Sequence, residues 1–328
     1  MMIGRSNVDR WIKANEDIII NQSRSFAIPI LHLDNRLRIP VMVEYNLNKA
    51  IDTIEDSMDL EIDEKIFLIK TFCYQLHGDG ISCEVKKRML EVTPEEEAFV
   101  FKNYESTINL YNTLSKEEKA LARRWTTEMA GGMCDFLRRS IHTLKDLNEY
   151  CYYVAGTTGL YLTNLLKLKG SNMTEKVHKT LLENAVSFGC FLQKLNIIRD
   201  FIADRDQRKR CFWPRNYFEH ERDNVKILNR MCYETLKNDL PYAIKYFIHI
   251  PPDNDSYDYF IRFLLSSGME YLKILKNNNA VFSLKKVKLP KELIKNLYLN
   301  VSSQTREEFK DYCERYYEEE IASYFALR

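Results

Sequence analysis

The chain has 328 residues, with 48 Lys+Arg against 47 Asp+Glu for a net charge of +1, and 45% of its residues are hydrophobic. Enough apolar surface is present to offset the entropy of ordering, which excludes a disordered chain, and the balanced charge provides no field that steers the whole protein to nucleic acid or an anionic membrane. Eight scattered cysteines without a CxxC pair point to reduced, mostly buried thiols, not a disulfide framework or a zinc site.

The opening MMIGRSNVDRWIKANEDIII has no long apolar core or cleavage signature. No window reaches the roughly 18 apolar residues of a membrane span, so a soluble cytoplasmic chain without a transmembrane anchor is expected. Ten Gly and eight Pro are few for this length, and Glu95 to Trp213 holds no proline. This predicts an all-α protein with long uninterrupted helices. Breaks are expected near Pro40, Gly78 to Gly80, Gly170 to Asn172, Pro214, Pro251-Pro252 and Pro290. None resembles a flexible linker and no repeat is found, so one helical domain over 1–328 is the simplest organisation.

The first segment with chemical content is YNLNKAIDTIEDSMD, from Tyr45. On a helix Asp52, Glu55 and Asp56 stand at i, i+3 and i+4, and Asn48, Lys49 and Tyr45 extend the stripe backward. Three carboxylates on one side repel one another unless a cation sits there, and hard oxygens of this kind suit Mg2+. A solvated acidic helix face has the same spacing.

Further along, Gly131-Gly132 and the pair Gly156/Gly159 could let helix backbones approach closely. Leu144, Leu147, Cys151 and Val154 form an apolar stripe, and Phe188, Leu192, Leu195 and Ile202 form another. Opposite the second stripe, Asn196, Asp200 and Asp204 recur at four-residue steps beside Gln193. Arg199 adjoins them, and Arg208, Lys209 and Arg210 follow within two turns. Carboxylates for a metal and guanidiniums for phosphate oxygens make a diphosphate the natural ligand, although the RDQRKR run also suits an exposed loop.

Five blocks carry a resemblance: SRSFAIPI at Ser23, AIDTIEDSM at Ala50, MAGGMCDFL at Met129, YCYYVAGTTGLYL at Tyr150 and FLQKLNIIRDFIAD with its FWP ending. In order and spacing they resemble the squalene/phytoene synthase family of head-to-head prenyl synthases, and the last block looks closer to the squalene-forming branch. The resemblance implies an isoprenoid-synthase fold, a single helical domain around a central cavity, with farnesyl diphosphate as substrate. It implies Mg2+-dependent condensation of two farnesyl diphosphates to presqualene diphosphate, then NADPH-dependent reduction to squalene.

By position, the resemblance implies that Asp52, Glu55, Asp56, Asn196, Asp200 and Asp204 bind the metal. Tyr150 would stand near the first allylic cation, with Tyr45 and Phe26 lining its pocket. Arg24, Lys49, Arg199, Arg208 and Arg210 would hold substrate diphosphate, and Arg24, Lys49, Arg199, Lys286 and Lys288 the nicotinamide cofactor. Lys49 and Lys288 stand where the family generally has arginine, which keeps the charge but loses the planar fork. The connection from Asp204 to Trp213 is one residue longer than is usual there and lacks a glycine pair. The family usually ends in a membrane-anchoring helix; this chain shows none, which leaves peripheral association at the cytosolic face of the endoplasmic reticulum and a monomer as the expectation. The alternatives are a presqualene diphosphate or dehydrosqualene synthase without the reductive step, and a non-catalytic assembly factor of the same fold.

Overall fold

In a computed structural model of the chain, residues 5–78, 83–95, 97–219, 221–283 and 287–325 are described. All regular structure among them is helical, as the composition predicts. Contacts divide the chain into two compact units, Met1–Arg139 with Asn164–Ser171, and Ser140–Thr163 with Asn172–Arg328. Among the described residues no helix is long and apolar enough to cross a membrane. The seven described cysteines are free, and all but Cys211 are buried.

The first unit contains α1 (Arg5–Gln22), α2 (Arg24–His32), α3 (Asn35–Asp56), α4 (Ile62–Gln75), α5 (Cys83–Val92), α6 (Phe99–Lys102), α7 (Tyr104–Thr113) and α8 (Lys116–Phe136). Its centre is α3, which packs on α1, α4, α7 and α8. Asp34 caps α3 by accepting from Arg36 N at 2.9 Å. Pro40 does not break the chain as expected; it lies inside α3. A proline there removes one backbone rung, but Leu37, Val41, Met42, Leu47, Ile51 and Ile54 are all buried along the helix. Tertiary packing of that face outweighs the missing bond.

The second unit contains α9 (Leu144–Cys151), a π-helical turn (Tyr152–Gly156) and the start of α10 (Thr157–Leu168), whose end belongs to the first unit. There follow α11 (Glu175–Arg199), a second π turn (Ala203–Gln207), α12 (Asn224–Asn238), α13 (Leu240–Ile248), α14 (Asp255–Leu275), α15 (Lys291–Ser303) and α16 (Arg306–Phe325). The 25-residue α11 is its axis, packed by α9, the first π turn, α12, α13 and α14. Pro214, Pro251-Pro252 and Pro290 fall between helices as expected, with Pro290 capping α15. The break at Gly170 to Asn172 separates α10 from α11. Of the break at Gly78 to Gly80, Gly78 follows α4, while Asp79 and Gly80 lie outside the described residues.

The proline-free tract holds two long uninterrupted helices, α8 of 21 residues and α11 of 25, as expected, with shorter helices around them. It is divided by polar caps: Ser115 with Glu118 and Thr143 with Asp146 form capping boxes, and Thr174 caps α11. A side-chain oxygen that satisfies the first free N–H groups starts a new helix as effectively as a proline ends one. Two glycines set the spacing in the second unit. A Cβ on Gly159 would lie 2.3 Å from the Ala185 carbonyl oxygen, and one on Gly189 would lie 2.3 Å from that of Ala155. The expected close approach at Gly159 is therefore real, with Gly189 as its counterpart on α11, whereas a Cβ on Gly131 meets nothing within 4 Å.

Candidate functional site

In the first unit the acidic residues occupy the last turns of α3. The helical period places Glu55 and Asp56 on opposite flanks of Asp52. Glu55 falls on the inner flank and is 2% exposed, whereas the Asp52 side chain is 38% exposed and Asp56 is half-buried. Lys65 Nζ donates to the Glu55 main-chain carbonyl at 2.7 Å, which helps end the helix. One turn before Asp52, Lys49 Nζ donates to Asp52 Oδ2 at 2.5 Å. Burial disfavours the Lys49 ammonium, but Asp52 outweighs it and holds the group above its ordinary pKa.

Tyr45 lies a further turn back, its ring 6.0 Å from that of Phe26. Burial pushes the Tyr45 phenol up and keeps it neutral. Phe26 is set by the start of α2, where Ser23 Oγ accepts from Phe26 N at 3.3 Å. Asn48 is tied to the neighbouring helix, accepting from Thr126 Oγ1 at 3.0 Å. The side chain of Arg24 lies outside the described residues, as does Lys286.

In the second unit α11 ends at Arg199, but the helical bonding runs on. Asp200 N donates to Asn196 O and Asp204 N to Asp200 O, each at 2.9 Å, so the four-residue spacing survives. The Arg199 guanidinium spans Asp200 at 3.0 and 2.5 Å and reaches Asn196 Oδ1 at 3.0 Å, drawing the two together. Its carbon also stands 5.8 Å from the Tyr271 ring centroid, a neighbour that no sequence pattern singled out.

Asp204 lies in the second π turn with its side chain 8% exposed. Burial pushes its carboxyl up to about 6, against the opposing pull of Arg208, whose Nη1 donates to Oδ1 at 2.7 Å. Lys209 then takes φ 56°, the left-handed region that favours glycine. The glycine-free connection from Asp204 to Trp213 contains a π turn and one strained lysine. Arg210 N donates to Asp204 O at 2.8 Å, while its guanidinium lies 4.6 Å over the Phe212 ring and 5.8 Å from that of Tyr150. Phe212 stacks on the buried Tyr150 at 4.6 Å and 25°. Lys288 is exposed.

Three pairings therefore recur: Lys49 with Asp52, Arg199 with Asp200 and Arg208 with Asp204. In each, a cation suited to phosphate neutralises a carboxylate suited to a metal. Among the described residues no group of three or more His, Cys, Asp or Glu gathers to hold a metal. Mg2+ needs no such cage, since it commonly binds one or two carboxylates together with waters and substrate phosphates. Asp52 with Asp56, and Asp200 with Asp204, fit that donor set. Of the two π turns, one begins two residues after Tyr150 and the other bears Asp204; π bulges frequently mark functional sites.

A squalene/phytoene synthase family profile matches residues 19–292. The chain is 34% identical over 219 residues to a squalene synthase of Candida albicans, covering 64% of this chain and 46% of that protein. It is 32% identical over 217 residues to the squalene synthase of Schizosaccharomyces pombe, covering 64% and 45%. The chain spans about half the length of the curated relatives it matches. A solved structure of TcSQS in complex with a ligand superimposes with a TM-score of 0.78 at 27% identity, covering 98% of this chain and 100% of that one. These matches identify the all-α isoprenoid-synthase fold. A dehydrosqualene synthase in complex with a ligand, 19% identical with a TM-score of 0.62 over 91% of this chain and 97% of that one, shares the fold.

Proposed function

Because the chain belongs to the squalene/phytoene synthase family, we propose that it condenses two farnesyl diphosphates to presqualene diphosphate with Mg2+ and reduces this to squalene with NADPH. The observation that carries the proposal is the set of three ion pairs, Lys49–Asp52, Arg199–Asp200 and Arg208–Asp204. Each pair could exchange partners, the carboxylate then holding a divalent ion and the cation a phosphate oxygen. Magnesium, when bound, neutralises the negative charge that grows on the departing diphosphate.

The chain's own residues do the rest. Arg199 and Arg208 present planar forks that can take two phosphate oxygens each, while Lys49 supplies a point charge. The stacked faces of Tyr150 and Phe212 offer π density to an allylic cation without a nucleophile to trap it. In the first unit, Phe26 and the neutral Tyr45 phenol form an aromatic face of their own that would keep water from a prenyl chain. Arg199 bonds both Asn196 and Asp200 and so holds the two side chains together. Glu55, turned inward, supports the acidic turn from beneath.

For the reductive step the basic residues are Arg24, Lys49, Arg199, Lys286 and Lys288. Lys49 and Lys288 lack the fork suited to dinucleotide phosphates, and Lys49 is engaged by Asp52. That observation favours a second reading, in which the enzyme stops at presqualene diphosphate or releases dehydrosqualene. The proposal extends to a cytoplasmic monomer that meets membranes peripherally, because a hydrocarbon product partitions into lipid.

The test is a product assay with farnesyl diphosphate and Mg2+, run with and without NADPH. Squalene with nucleotide and presqualene diphosphate without it are expected. Presqualene diphosphate or dehydrosqualene under both conditions selects the second reading, and no diphosphate release under either refutes both and leaves a non-catalytic role.

A further inference from the structure

The first unit holds a cleft of about 590 Å³ between α4 and α8 that involves none of the ion pairs above. Its size lies within the roughly 300–1,000 Å³ of small-molecule sites. Ile66, Ile69 and Ala130 give it apolar walls, and Tyr74, 81% exposed, stands at its edge. The thiols of Cys73 and Cys134 complete the inner wall. Burial pushes both upward, Cys73 to about 12, so they stay protonated and behave as small apolar groups.

What keeps the cleft open is Gly131, an exposed residue of α8 at which an added Cβ meets nothing within 4 Å. Besides Tyr74 and the thiols, the ionisable side chains lining it are Lys70, His77 and Arg138 against the carboxylate Asp135, with Glu55 also acting on Cys134. Arg138 is paired with Asp63, whereas Lys70 projects from the outer face of α4 one turn before Tyr74. An aromatic and apolar trough with a lysine at its rim is complementary to a hydrocarbon tail ending in one negative charge.

We propose that this cleft binds a single-chain amphipathic acid, its tail along Ile66, Ile69 and Ala130 and its carboxylate at Lys70. The site stands apart from the proposed condensation, and either can fail without the other. The probe is decanoate, titrated by calorimetry against the whole protein, with decanol and decylammonium as charge controls.

Decanoate is expected to bind saturably with a Kd below about 1 mM, at least tenfold tighter than decanol or decylammonium. Lys70→Glu should weaken it by tenfold or more. Gly131→Phe fills open space on a helix surface and replaces a poor helix former, so it should abolish binding while the melting temperature holds or rises. No saturable binding, equal binding of either control, or undiminished binding in folded Lys70→Glu or Gly131→Phe protein would overturn the assignment.

Discussion

Arg199 holds Asp200 with both arms of its guanidinium, Nε to Oδ1 at 3.0 Å and Nη2 to Oδ2 at 2.5 Å. If Asp200 holds a divalent ion as proposed, the arginine competes with that ion for the carboxylate. Arg199→Met should therefore tighten Mg2+ binding measured without substrate, because the competing cation is gone. Turnover should nevertheless fall by about 10²–10³-fold, the usual loss when a donor to a developing anion is removed. Weaker metal binding in the variant would show that Arg199 is no competitor.

Asp52→Asn and Asp200→Asn each remove one ligand charge while preserving shape. Diphosphate release from farnesyl diphosphate should drop by about 10²–10³-fold in either variant, with far-UV circular dichroism unchanged. Undiminished release in both would count against the metal assignment of these patches.

Asp204 gives a pH dependence with a defined sign. Its folded carboxyl is raised from 3.8 to about 6 by burial, so the protonated form favours folding. That contribution is fully present below about pH 4 and is lost as pH rises through about 6, amounting to about 2–3 kcal/mol by pH 7. Metal-free protein should accordingly lose stability between about pH 4 and 6 in denaturant titrations, and Mg2+ should restore part of it at pH 7. In Asp204→Asn that component of the slope should vanish; a slope identical to the parent's would assign it to another group.

Lys209 holds a left-handed backbone, φ 56°, between Arg208 and Arg210. Its Nζ donates to Asp206 O at 2.6 Å, on an exposed surface where the bond is worth little. Lys209→Gly relieves the strain and should raise stability by about 0.5–1 kcal/mol, read as a higher denaturation midpoint. A lower midpoint would mean that the lysine bond, not the strain, dominates.

Gly189 sits where a Cβ would lie 2.3 Å from the Ala155 carbonyl oxygen and 2.6 Å from its carbon. Gly189→Ala must separate α11 from the turn after Tyr150, and the overpacking should cost about 1–3 kcal/mol or more. Gly131→Ala, in open space, should be neutral or stabilising. Similar melting temperatures for the two variants would show that the crossing is not tight.

The spacing of the acidic residues was legible in the chain itself. The four-residue steps from Asp52 to Asp56 and from Asp200 to Asp204 are properties of a helix, and the structure keeps both spacings. The absence of proline from Glu95 to Trp213 indicated helix correctly, but not its subdivision by Ser115, Thr143 and Thr174. Pro40 signalled an end that packing overrode. Neither π turn leaves a sequence signature, and Gly189 passed unnoticed inside an apolar run because its constraint comes from Ala155, far away along the chain.

The sequence by itself determined the helical class, the acidic and basic residue types and their spacing, because i, i+4 neighbours are set by backbone hydrogen bonds within one segment. Only the tertiary structure decided that Glu55 faces inward, that Arg210 lies over Phe212, and that burial lifts the Asp204 carboxyl. Burial and aromatic partners are supplied by segments remote in the chain, and desolvation depends on how closely those segments pack, a quantity that no local pattern contains.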